Sequence, residues 1–291
     1  MRFGFILPTS EPRVCAELAA LAENSGWNGV FIPDCISIET PTVPPMAAFD
    51  PWVTLAAMAV ATRRVRLGTM LTALPRRRPW KLAREVMTLD HLSGGRAILA
   101  AGIGAAADDA GFYKVGEPLD LKTRAGRLDE GLALLDGLWR GEPVTFAGQH
   151  YRVDGLTLLP RPVQRPRVPV WVVGVWPRPR SLARALRWDG LIPQKQTAAG
   201  QPPGPVTPDD LRAMRAYIAE HRASTEPFDL IAEGELPAGD PARAAAQARP
   251  YAEAGATWYL ESRWSAGEEW EAVVRGRLAE GPPELNDRFA G

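Results

Sequence analysis

Four side chains stand where apolar runs end and could do chemistry: Asp34 and Cys35 after one run, Glu233 after another, Glu261 after a third. Paired carboxylates serve as general acid and base, and a thiol is a nucleophile, a polarisable wall or a small buried hydrophobe. A glycine-rich segment, Gly102-Ile103-Gly104-Ala105-Ala106-Ala107, matches the dinucleotide fingerprint with alanine last. No helix opens clearly at Ala105, so the segment reads as backbone thinned to approach a ligand. Two basic segments complete the set. Arg76-Arg77-Arg78 is either a solvated face or a contact for an acidic group. Gly174, Val175, Trp176 and then Pro177-Arg178-Pro179-Arg180 lead into a helix whose first amides, with Arg178 or Arg180, could hold a phosphate.

Composition narrows the classes. The 291 residues carry 34 Lys plus Arg against 34 Asp plus Glu, which lacks the basic excess of a nucleic-acid binder. Two cysteines, Cys15 and Cys35, are too few for a disulfide framework or a thiolate zinc site. Three histidines, read as structural in a helix end (His91), a hairpin (His150) and a surface helix (His221), leave no metal site in view. No run reaches the ~18 apolar residues of a membrane span, and the first residues read as a strand rather than a signal peptide. A cytoplasmic protein with reduced thiols is the expectation.

The elements that would position these residues alternate. Strands are expected at residues 2–7, 29–33, 65–71, 97–101, 168–173, 190–193, 228–232 and 257–260. Helices follow: one carrying Val14, Leu18 and Leu21 and stopped by Gly26, then 51–62, 79–92, 121–139, 179–188, 209–222, 241–253 and 266–278. Residues 40–50 read as a Pro-rich loop and 194–208 as a polar one. The helix at 121–139 shows Leu128, Leu132, Leu135 and Trp139 on one face, and a small hairpin flanks Gly148. Eight strand–helix units imply parallel pairing and an α/β fold, a closed (β/α)8 TIM barrel. It would be a single domain over residues 1–291 with an insertion at about 105–165 after strand four.

Sites in such barrels lie at the C-terminal strand ends. The rim would hold Leu7, Pro8 and Thr9; Asp34 and Cys35; Met70, Leu71 and Thr72; Gly102, Ile103 and Gly104; Gly174, Val175 and Trp176; Gln194 and Lys195; Glu233; and Glu261 to Trp264. Apolar, glycine-rich and aromatic, it suits a flat ligand held by few polar groups. Trp52, Trp80, Trp176 and Trp264 are candidates to line the cavity.

Several separated blocks resemble the bacterial luciferase-like oxidoreductases: Gly26 through Asp34; Val65-Arg66-Leu67-Gly68-Thr69, Pro79 and Leu89 through Arg96; Leu138 through Val144 with His150-Tyr151 and Leu159 through Gln164; and Val168 through Gly174. The resemblance covers about residues 1–195. It implies a barrel binding FMN or the deazaflavin F420, oxidation or monooxygenation of a small organic substrate, and a homodimer formed through the 51–62 and 79–92 helices. It implies a non-proline cis peptide at Met70–Leu71 behind the ring. Taken with the rim residues, this places cofactor contacts at Asp34, Met70, Leu71, Thr72, Gly102, Ile103, Gly104, Gly174, Val175, Trp176 and Arg178, with Asp34, Cys35 and Glu261 as catalytic candidates. Cys35 stands where F420 dehydrogenases of this family place a histidine. The charge that relatives often carry at Ile103 or Ala105 is missing. Two other readings stay open: a glycosidase-type hydrolase using Asp34, Glu233 and Glu261, and a non-catalytic barrel serving as a partner subunit.

Overall fold

A computed structural model describes residues 1–8, 10–40, 43–105, 110–197, 204–264 and 267–285. Thr9, Ala106, Ala107 and Ala266, named above, lie outside them. In chain order come β1 (Arg2–Ile6), α1 (Pro12–Asn24), β2 (Gly29–Ile32), β3 (Ile38–Thr40), β4 (Val43–Met46), α2 (Pro51–Ala61) and β5 (Arg66–Ala73). Then follow α3 (Pro79–Ser93), β6 (Ala97–Gly102), α4 (Ala110–Tyr113), α5 (Leu121–Leu138), β7 (Val144–Ala147), β8 (Arg152–Leu156) and β9 (Val170–Trp176). The last are α6 (Pro179–Ala185), β10 (Gly190–Lys195), α7 (Pro208–His221), β11 (Asp229–Gly234), α8 (Pro241–Glu253), β12 (Trp258–Ser262) and α9 (Trp270–Glu280). Eight of the strands close into a barrel in the order β1-β12-β11-β10-β9-β6-β5-β2. This is the (β/α)8 architecture that the strand–helix alternation predicts.

Local chemistry sets the helix ends. Asp50 accepts from the Val53 amide ahead of Pro51 at the start of α2, and Asp120 accepts from Thr123 at the start of α5. Thr207 and Asp210 form a reciprocal capping box at α7. Gly94 ends α3 at φ +68°, a left-handed conformation that favours glycine.

Two departures from the expected elements have physical causes. Within the expected loop at 40–50, β3 and β4 pair antiparallel through Ile38↔Met46 and Thr40↔Val43. Pro44 and Pro45 argue against a central strand but are tolerated in an edge pair. Most barrel strands also run past their expected ends; β9 and β10 stay in register to Trp176↔Lys195. Polar and bulky residues interrupt the apolar run there, while the backbone ladder continues.

The chain divides into two compact units. The first comprises Met1–Pro8, Leu18–Val30 and Trp171–Gly291. In it Trp27 donates from Nε1 to the Leu278 carbonyl (3.1 Å) and meets Phe5 edge-on, and Trp171 meets Trp258. The second comprises Thr9–Glu17 and Phe31–Val170. Buried Arg96 there donates to the carbonyls of Ala59, Thr62, Val65 and Ser93, and buried Asp90 accepts from the backbone and side chain of Gln164. These are residues of the family-like blocks, and their work is scaffolding. Trp52, Met58 and Met87 are buried within the chain and Trp80 packs against Tyr151. As packed here they need no partner subunit to cover them; the large apolar residues α2 exposes are Val53 and Val60. Among the described residues no helix is long and apolar enough to cross a membrane.

Candidate functional site

In the second unit, β5 carries a local irregularity at its C-terminal end. Thr69 pairs with Leu99 but Thr72 pairs with Ala101, so Met70 and Leu71 together oppose one residue of β6. The peptide between them is cis. Both are half-buried, while Gly68, Thr69, Thr72 and Ala73 around them are buried. Thr72 shares a 2.8 Å hydrogen bond with Thr69, so its hydroxyl is committed inside the strand. Gly102 is buried at the end of β6, and Ile103 and Gly104 are half-buried beyond it. Gly104 has φ +77°, and a Cβ there would lie 2.6 Å from the Phe112 ring; only glycine fits.

Arg124, which sequence reasoning missed, reaches this edge from α5. Its Nη1 donates to the carbonyls of Ile103 (3.2 Å) and Gly104 (2.7 Å), and its guanidinium lies 5.6 Å from the Phe112 ring. It is buried, its Nε has no hydrogen-bond partner, and it makes no ion pair among the described residues. Burial lowers its pKa, against the opposing pull of Asp120. A buried guanidinium with an orphan donor and no ion pair favours an anionic neighbour over a neutral one. The available signal was position: Arg124 lies four residues before Leu128, on the apolar face of α5.

Asp34 has a different place from the expected one. Its side chain is fully buried; Arg77 donates to it in bidentate fashion (2.8 and 2.6 Å), and Arg76 donates to both Oδ1 (3.1 Å) and the Asp34 carbonyl (2.6 Å). A carboxylate so enclosed cannot meet a ligand edge, so Asp34 holds the two arginines. Cys35, the next residue, is half-buried.

In the first unit, the turn after β9 offers less to a phosphate than expected. The Val175 amide donates to Ser181 Oγ (3.0 Å) and the Arg178 amide to the Val175 carbonyl (2.7 Å), while Pro177 and Pro179 have no N–H. Gly174 is small because α6 and β10 pack on it: a Cβ would lie 2.4 Å from Leu191 and 3.3 Å from Leu182. Trp176 packs edge-on against Tyr217, and Arg178 donates to Gln196.

The ends of β10, β11 and β12 enclose a pocket of about 440 Å³. Ile192, Gln194, Ile231, Glu233, Ser262 and Trp264 are among its lining residues, and no lysine or arginine is among the described ones. Glu233 and Ile231, two apart on one face of β11, line the pocket together with Gly234 and Glu235. Solvent reaches Glu233 through the pocket while protein crowds it elsewhere. That burial raises its pKa, partly offset by a hydrogen bond from Trp264. Glu261 lies outside the lining of this pocket: its carboxylate is buried, Arg263 (2.5 Å) and Arg277 (2.9 Å) both pair with Oε1, and Oε2 has no partner among the described residues. Of the three carboxylates named for a hydrolase, Asp34 and Glu261 are each held by two arginines and Glu233 lines the described pocket, which Glu235, paired with Arg263, also lines.

The family model described as luciferase-like monooxygenase matches residues 1–289. The F420-dependent glucose-6-phosphate dehydrogenase of Nakamurella multipartita is 32% identical over 241 residues, covering 80% of this chain and 66% of that protein. A putative coenzyme F420-dependent oxidoreductase of Mycobacterium tuberculosis is 33% identical over 193 residues, covering 62% and 51%. The chain thus spans less than two thirds of the length of these curated relatives. Among solved structures, the F420-dependent tetrahydromethanopterin reductase of Methanopyrus kandleri superposes with TM-score 0.77 at 18% identity, covering 98% of this chain and 99% of that one. An FMN complex of the oxygenating constituent of 3,6-diketocamphane monooxygenase from Pseudomonas putida gives 0.74 at 14%, covering 98% and 99%.

Proposed function

The chain belongs to the luciferase-like monooxygenase family, and we propose that it uses F420 or FMN to oxidise or reduce a small, uncharged hydroxyl or carbonyl compound. One observation carries this reading: the half-buried Met70–Leu71 step lies on β5, paired with the β6 strand whose end Arg124 holds. An apolar wall with a carboxylate-free cation fits a planar ring system that bears negative charge. The names of the relatives at 32–33% identity favour F420; the FMN-bound likeness, at 14%, speaks for the fold alone.

When bound, either cofactor accepts or delivers a hydride at its ring. Met70, Leu71 and Ile103 would present an apolar surface to the ring, and Arg124 would balance its negative charge. Asp34 keeps Arg76 and Arg77 folded back. In the first unit, taken by itself, Glu233 faces its own pocket with a carboxyl whose pKa is raised, the direction that suits a general acid. Trp264 orients it. The pocket's lack of a described cation supports a substrate without a phosphate, unlike the sugar phosphate in one relative's name.

The test is turnover. F420-loaded protein is mixed with a panel of small alcohols and with glucose 6-phosphate, and loss of the oxidised F420 absorbance is followed; FMN-loaded protein is assayed in parallel with oxygen and a reductant. Turnover of an uncharged alcohol or carbonyl compound supports the reading. A protein inert with both cofactors is the non-catalytic partner subunit instead. The homodimer is likewise a proposal, supported by Val53 and Val60, seven residues apart on one face of α2 and 65% and 56% exposed. Light scattering should give twice the chain mass, and Val53→Asp with Val60→Asp should halve it.

A further inference from the structure

A second recess lies in the other compact unit, and none of its lining residues belongs to the Glu233 pocket. It opens between the segment leading into α3, helix α5 and the β7–β8 hairpin, with a volume of about 90 Å³. That is room for a small oxyanion. Its walls are polar: Arg76, Arg77, Arg78, Arg127, His150 and Tyr151, with Glu117 and Pro75 completing the lining.

The charges of this wall are not all spent. Arg76 and Arg77 answer Asp34, with Glu85 3.8 Å from Arg77, and Arg127 answers Glu117 at 2.6 Å. Arg78 makes no ion pair with any described residue; its guanidinium lies 6.0 Å from the centre of the Trp80 ring. Tyr151 supplies an independent observation. It is only 7% exposed, and its ring is fixed edge-on against Trp80 and packed on Leu134 and Val153. Among the described residues nothing hydrogen-bonds its hydroxyl, on which the charges of Arg127 and Arg78, and of Glu117 and Glu130, act. The ring is held in place while the hydroxyl, left without a partner among the described residues, opens onto a recess in which Arg78 is unpaired among them.

We infer that this recess binds one oxyanionic group, a phosphate or a carboxylate, through Arg78, Arg127 and the Tyr151 hydroxyl. The occupant shares the space with Glu117, whose charge Arg127 already balances, so binding is modest and weakens with salt. It would tie the hairpin to the start of α3, beside the arginines that hold Asp34.

The test uses the whole chain without cofactor, so it stands whether or not the redox reading does. Inorganic phosphate and acetate are titrated in separate calorimetric arms at fixed ionic strength. Saturable one-to-one binding is expected, weakened at least tenfold by Arg78→Ala and several-fold by Tyr151→Phe. The preferred anion shows whether phosphate or carboxylate is the occupant. Arg78 is exposed, so Arg78→Ala should keep the wild-type melting temperature and secures the result should Tyr151→Phe fold poorly. No saturable binding of either anion overturns the inference, as does binding that Arg78→Ala leaves unchanged.

Discussion

Asp34 and Glu233 are both carboxylates just past a barrel strand, yet their surroundings are opposite. Arg76 and Arg77, from the segment after β5, fold back on Asp34 until no solvent reaches its side chain. Among the described residues no arginine pairs with Glu233, which accepts a hydrogen bond from Trp264 and faces a pocket. Position at a strand end therefore does not make a carboxylate functional. What decides is whether a cation from the next segment reaches it first. Glu261 belongs with Asp34, closed by Arg263 and Arg277.

The sharpest way to break the contrast is to remove the enclosed carboxylate. Asp34→Ala strands two arginines, and breaking a buried pair this way costs ~3–5 kcal/mol; urea unfolding should show a loss of that size. A loss below ~1 kcal/mol would mean that Asp34 is not the anchor described. Glu233→Gln should do the reverse. Loss of a general acid or base lowers turnover ~10²–10⁴-fold, while stability should change by less than ~1 kcal/mol, as for other positions outside the packed core. Steady-state kinetics beside a thermal melt reads both.

The smallest effect is a pH dependence. Burial raises the folded pKa of Glu233 above its unfolded value, so the native state binds the proton more tightly. The stability this contributes is present below the unfolded pKa and is lost as pH rises through the folded one. Melts across the mildly acidic range should therefore fall more steeply for wild type than for Glu233→Gln. Parallel curves would remove the unusual carboxyl from the account.

This contrast also marks what the sequence could and could not tell. The barrel was legible because apolar runs and helical periods alternate without confusion, and the cis step at Met70–Leu71 followed from family-like blocks on either side of it. Which face of a strand a glutamate uses was not legible: β12 is buried along its whole length, so no alternation separates pocket from helix layer. The return of Arg76 and Arg77 to Asp34 was hidden in a charge run that reads equally as solvated. The missing donors after β9 depended on Ser181, whose hydroxyl takes the Val175 amide; spacing alone does not reveal that. Arg124 was the readable exception, a charge on an apolar helix face.

The central claim is that the β5–β6 edge, with Arg124 behind it, seats a flavin-type cofactor. Equilibrium titration of the chain with F420 and with FMN, followed by absorbance and quenching of cofactor fluorescence, tests it most directly. The account predicts saturable one-to-one binding of at least one cofactor, weakened tenfold or more by Arg124→Ala in a variant that remains folded. Absence of binding to both, or binding that Arg124→Ala leaves untouched, would contradict it.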